Sequence, residues 1–192
     1  MGIRIKNCVF LYFFAIAFLC WLLPFLLRIF FIETPEIHFE SSEERQLELP
    51  YAMERVIQLL SDNDRRGAFI AIFKNNLKGC ILNIAGGVLL GLGTLFNLSF
   101  NGFIFADILV SSYESGLSIP TMLQVTLPHS FELIGFWLSG AIGFYIAWNI
   151  IRFMRGKELM DNFYKTIGIS SLIVVVIILA AAYVEAFIST NI

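Results

Sequence analysis

The feature that most constrains this chain is its set of apolar runs, several of them long enough to cross a bilayer. A transmembrane helix needs about 20 predominantly apolar residues. The first run, Cys8 to Ile32, is interrupted only by Pro24 and Arg28. It resembles a secretory signal in having Arg4 and Lys6 ahead of it, but no small-residue cleavage site follows, so it reads as a retained helix whose Arg28 snorkels toward the far interface. With 58% hydrophobic residues and a mean hydropathy of +0.79, the chain is an all-α membrane protein rather than a water-soluble domain.

Further spans are predicted over residues 79–98, 100–116, 129–151 and 167–188. The third is short and contains Asp107, so it either crosses or re-enters. Cytoplasmic flanks carry excess Lys and Arg. Arg4 and Lys6 lie at one flank, and Arg152, Arg155, Lys157 and Lys165 form the densest basic loop. Five crossings put both inside, with the N-terminus cytoplasmic and the C-terminus outside; Arg65, Arg66, Lys74 and Lys78 count against that orientation.

Three regions follow. Residues 1–32 form the first helix, 33–66 an acidic extracytoplasmic segment, and 67–192 a helical membrane domain. From Glu33 to Asp64 there are nine acidic side chains against Arg45 and Arg55. Within it Met53, Val56, Ile57 and Leu60 give an amphipathic helix over Tyr51 to Leu60 that suits a membrane or partner surface. A helix at the interface is expected from Ala68 to Lys78, continuing into the second span.

Polar residues inside spans are costly in hydrocarbon and should face the bundle interior. Asn75, Gly79, Asn83, Gly87 and Gly91 recur every four residues, a stripe suited to close helix packing. Asn97 and Asn101 extend the set of candidate packing residues, and in the fourth span Gly135, Ser139 and Gly143 share a face with Glu132. His129 stands one turn before Glu132, after Thr126 as candidate cap and Pro128. Glu185 lies on the alanine side of the fifth span. In an antiparallel hairpin centred near residue 159, Glu132 and Glu185 meet at nearly equal depth, on the order of 5 Å below the outer interface.

His129, Glu132 and Glu185 are therefore the candidate catalytic and metal-ligating cluster. One imidazole and two carboxylates suit a divalent metal such as zinc with an open position for water. Two blander readings compete and are favoured over it: first a structural network fixing helix register, then an acidic patch gripping a cationic or apolar peptide or a partner. Cys8, Cys20 and Cys80 show no metal-binding spacing and read as small buried hydrophobes. No nucleotide-binding GxxxxGK[ST] loop occurs, and neither charge nor composition points to nucleic acid as a partner. The absence of an obvious inverted repeat of broken helices argues against a solute transporter.

Five ordered segments resemble the stage II sporulation protein M family: Phe69 to Asn76 (FIAIFKNN), Gly86 to Phe96 (GGVLLGLGTLF) with Asn97, the Asn101-Gly102 pair, Leu127 to Leu133 (LPHSFEL), and Ala181 to Thr190 (AAYVEAFIST). Ser130 and Asn191 depart from the pattern, where a glycine and a proline are expected, as in a divergent branch. The resemblance implies a multi-pass protein of the bacterial cytoplasmic membrane acting with other membrane proteins. It further implies a scaffold for envelope remodelling in sporulation, or a subunit for maturation, export or immunity of a circular bacteriocin. The alternative is an intramembrane metal-dependent hydrolase or peptide ligase using the His129, Glu132 and Glu185 cluster.

Overall fold

In the computed structural model, which describes residues 2–32, 51–120 and 130–188, the elements are helices. They are α1 (Gly2–Phe31), α2 (Tyr51–Ser61), α3 (Arg65–Gly86), a 3-10 turn (Gly87–Leu89), α4 (Leu92–Glu114), α5 (Ser130–Met154) and α6 (Phe163–Phe187). Among the described residues, four stretches are long and apolar enough to span a membrane: Phe10–Phe31, Leu92–Glu114, Phe131–Met154 and Phe163–Phe187. The chain is an all-α, multi-pass membrane bundle. Helix α3 is a further passage through it, but Arg65, Arg66, Lys74 and Lys78 keep it less apolar than the other four.

The described passages alternate in direction. Helix α4 runs parallel to α1, with Ser99 Oγ donating to the Cys20 carbonyl at 3.2 Å and Asp107 meeting Arg28. Helix α5 runs antiparallel to α1. Along their seam Trp137 meets Phe14, Phe18 and Trp21 edge-on, and Tyr145 meets Phe10 and Phe13. Helix α6 returns antiparallel to α5, whose Gly135 faces Ile177 and Ile178, and it also packs on α3. The start of α1 and the basic loop between α5 and α6 thus share one end of the bundle.

One expectation is corrected. Residues 79–98 do not form one span, because the chain reverses between Gly86 and Gly91, and the run predicted at 100–116 belongs to a helix that already begins at Leu92. Leu90 (φ 54°) and Gly91 (φ 86°) take left-handed conformations that end one helix and start the next. The hairpin then closes tightly. A Cβ on Gly93 would stand 2.8 Å from the Gly86 Cα, so neither position tolerates a side chain. Gly91 lies level with Ala147, and α5 continues seven residues beyond it, so the turn stops about 10 Å short of the end of α5. Its exposed residues, Val88, Leu89, Leu90 and Leu92, are apolar and suit hydrocarbon.

Arg28 is the second correction. Its side chain is 4% exposed rather than snorkelling to an interface. It donates from Nε to Asp107 Oδ1 at 2.7 Å and from Nη1 to the Ile32 carbonyl at 2.8 Å. Arg28 and Asp107, each costly alone in a membrane, satisfy each other and clamp α1 to α4.

Helix α2 folds back on α3. Asp64 caps α3 by accepting from the Gly67 N–H at 2.9 Å, and Val56, Leu59 and Leu60 pack around Ala68, Ile72, Ala182 and Ala186. Val56, Leu59 and Leu60 of α2 are therefore engaged by the chain's own bundle. The acidic stretch 33–50 lies outside the described residues.

Candidate functional site

A seven-residue step on a helix advances the face by only about 20°, whereas each four-residue step drifts by about 40°. This decides which α3 side chains meet α5. Asn83 is fully buried, and Asn76, seven residues earlier, shares its face; Asn75 is exposed, contrary to the four-residue stripe expected. Gly87 and Gly91 leave the helix altogether and build the turn.

Asn83 is the hub. Its Nδ2 donates to Ser139 Oγ at 3.0 Å and to the Phe136 carbonyl at 3.2 Å, both on α5. Its Oδ1 accepts from Asn97 Nδ2 on α4 at 2.7 Å, and its backbone carbonyl accepts from Thr94 Oγ1 at 2.7 Å. Asn97 Nδ2 also reaches the Gly79 carbonyl at 3.1 Å, while Asn101 donates to the Asn97 carbonyl and side chain at 2.8 and 3.1 Å. Ser139 closes the chain by donating to the Phe136 carbonyl at 2.7 Å. Three helices are thereby linked by amide and hydroxyl groups whose donors have protein acceptors, the condition under which polar groups persist in an apolar interior.

Glycines bring the backbones close enough for these bonds. A Cβ on Gly87 would lie 2.9 Å from both the Cα and the carbonyl carbon of Gly143, and one on Gly143 would press on the Asn83 carbonyl and Thr94. Gly140 sits against Leu98 and Ala17, joining α5 to α4 and α1, and Gly135 serves the contact with α6.

Toward the other end of α3, Asn76 Nδ2 donates to Glu132 Oε2. The half-buried Glu132 carboxylate is therefore directed at α3. The α5/α6 register set by Gly135 against Ile178 pairs Glu132 with the level of Ala181, and Glu185 falls four residues beyond, about 6 Å further toward the end of the bundle where α5 starts. The expected equality of depth is thus off by roughly one turn. His129, with Thr126 and Pro128, lies outside the described residues. Among the described residues, no group of three His, Cys, Asp or Glu side chains could hold a metal ion.

At the opposite end, Asn149 is fully buried at the close of α5. It donates to the Tyr145 carbonyl at 2.8 Å and accepts from the Met160 N–H at 2.9 Å, pinning the basic loop to the bundle.

Two comparisons with known proteins bear on this geometry. The family model described as stage II sporulation protein M matches residues 8–190. An uncharacterized protein of Methanocaldococcus jannaschii is 31% identical over 128 residues, covering 65% of this chain and 72% of the relative. No solved structure matches. The chain belongs to the stage II sporulation protein M family.

Proposed function

We propose that this member of the family is a scaffold subunit of a membrane complex, one that matures, exports or confers immunity to a bacteriocin-type peptide, or remodels the envelope as in sporulation. The observation that carries the reading is the Asn83 hub: amides on α3 and α4 and a hydroxyl on α5 are engaged with one another at 2.7–3.2 Å. Such a network fixes helix register and presents a rigid outer surface. That surface is broad and apolar, with Phe96, Phe100, Leu172 and Val176 among its exposed residues, and suits lipid and the helices of other membrane proteins. Glu132, accepting from Asn76, extends the network and fixes the α3/α5 register toward the start of α5.

The test is extraction of native membranes in mild detergent. The scaffold reading expects this 21.8 kDa chain to run in a larger assembly with a second protein at fixed stoichiometry. A chain that runs alone and carries stoichiometric metal, lost in Glu132→Ala, would overturn it in favour of metal-dependent hydrolysis or ligation at His129, Glu132 and Glu185.

A further inference from the structure

At the end of the bundle that carries the basic loop, α1 and α6 pack on two flanks of α5 without forming an extensive interface of their own. Between them runs a cleft of about 1030 Å³. Its inner part is lined by Phe14, Leu138, Ile169 and Ser170, and its mouth by Arg152, Glu158, Asp161 and Lys165. The cleft is therefore amphipathic along its length, apolar toward the bilayer middle and charged at the edge, where Arg152 and Lys165 stand with Glu158 and Asp161.

Its length suits a lipid. From Leu138 to Arg152 is 14 residues of α5, about 21 Å, most of the way across a hydrocarbon core of about 30 Å. Extended hydrocarbon chains can lie along the apolar inner part while a headgroup stays at the charged edge.

The mouth selects the headgroup. The loop from Arg152 to Lys165 carries four cations, Arg152, Arg155, Lys157 and Lys165, against Glu158 and Asp161. It is held in place, because the Arg152 guanidinium donates to the Glu158 carbonyl at 3.3–3.4 Å and Asn149 holds Met160. Basic pockets between membrane helices on the cytoplasmic side recognise anionic headgroups, and this is the end that the charge rule assigns to the cytoplasm.

We propose that the α1/α5/α6 cleft binds an anionic glycerophospholipid from the surrounding bilayer, with acyl chains against Phe14, Leu138 and Ile169 and the phosphate at Arg152 and Lys165. The proposal goes beyond the scaffold reading and stands without it, since its readout requires no protein partner.

The test is native mass spectrometry of purified protein equilibrated with mixed micelles containing equal amounts of phosphatidylglycerol and phosphatidylcholine. Wild type should retain phosphatidylglycerol selectively. Arg152→Ala combined with Lys165→Ala should lower its retention roughly thirty-fold, from about 1 kcal/mol per basic side chain. Lys165→Ala alone, which leaves the Arg152 loop contacts in place, should lower it roughly five-fold. Ser170→Phe, which narrows the cleft and keeps both charges, should also reduce retention, while Lys74→Ala with Lys78→Ala on α3 should not. Equal retention of both lipids, or none, would overturn the proposal. So would full retention in Ser170→Phe, which indicates headgroup attraction at the surface, and so would displacement of the lipid by inorganic phosphate, which indicates an anion site alone.

Discussion

Replacing Gly87 by alanine sets two effects of opposite sign against each other. Gly87 has φ −63° and ψ −30°, ordinary right-handed values open to any residue, so the backbone does not require glycine there. Alanine would gain at most about 1 kcal/mol of helical preference. Against that, the new Cβ would lie 2.9 Å from the Gly143 Cα and carbonyl carbon, and nearer still to its oxygen. The obstacle is backbone on a neighbouring helix, not the end of a flexible side chain, so α3 and α5 must separate, at about 1–3 kcal/mol for overpacking plus loss of nearby Asn83 hydrogen bonds at about 0.6 kcal/mol each. Net destabilisation of about 1–3 kcal/mol is expected for Gly87→Ala. Gly168 in α6 is the matched control, since a Cβ there meets nothing within 4 Å. Gly168→Ala should be neutral or stabilising by up to about 1 kcal/mol. Reversible unfolding in mixed detergent micelles, followed by circular dichroism, measures both. Equal shifts in the two variants, or a stable Gly87→Ala, would refute the close-contact argument.

The other predictions concern the polar contacts and the hairpin. Asn83→Leu removes three side-chain hydrogen bonds and should cost about 2 kcal/mol at about 0.6 each in the same assay; Asn101→Ala, whose amide bonds within α4, should cost about 0.5 or less. Asp107→Asn weakens the partner of buried Arg28. Because Asp107 is 44% exposed, the loss should be about 1–2 kcal/mol rather than the 3–5 of a fully buried pair, and Arg28→Met in addition should recover part of it. Spin labels at residues 75 and 101 should lie within about 20 Å of each other across the α3/α4 hairpin, whereas a continuous helix would separate them by about 39 Å.

Much of the architecture is written in local pattern. The apolar runs behind α1, α5 and α6 are long and broken by few polar residues, and basic flanks mark their ends. The α3/α4 turn was obscured because the same residue serves two purposes: glycine permits both close helix approach and left-handed turns. The clue was density, four glycines between Gly86 and Gly93. Asn76 was missed beside Asn75 through the angular drift of a four-residue repeat. Arg28 and Asp107 are 79 residues apart, and no local pattern reports such a pair. The depth match between Glu132 and Glu185 assumed a hairpin symmetric about residue 159, while the Gly135 contact with Ile178 sets a register centred nearer 156 or 157.

The account separates a scaffold from an enzyme most directly at Glu132. Its carboxylate accepts from Asn76, and a glutamine carbonyl can accept the same bond while lacking the charge for metal binding or proton transfer. The decisive measurement is rescue of a deletion strain of the native host by Glu132→Gln, read beside the amount of folded protein in the membrane. The scaffold account predicts rescue at wild-type level with normal abundance; normal abundance without rescue would contradict it and assign chemistry to the carboxylate.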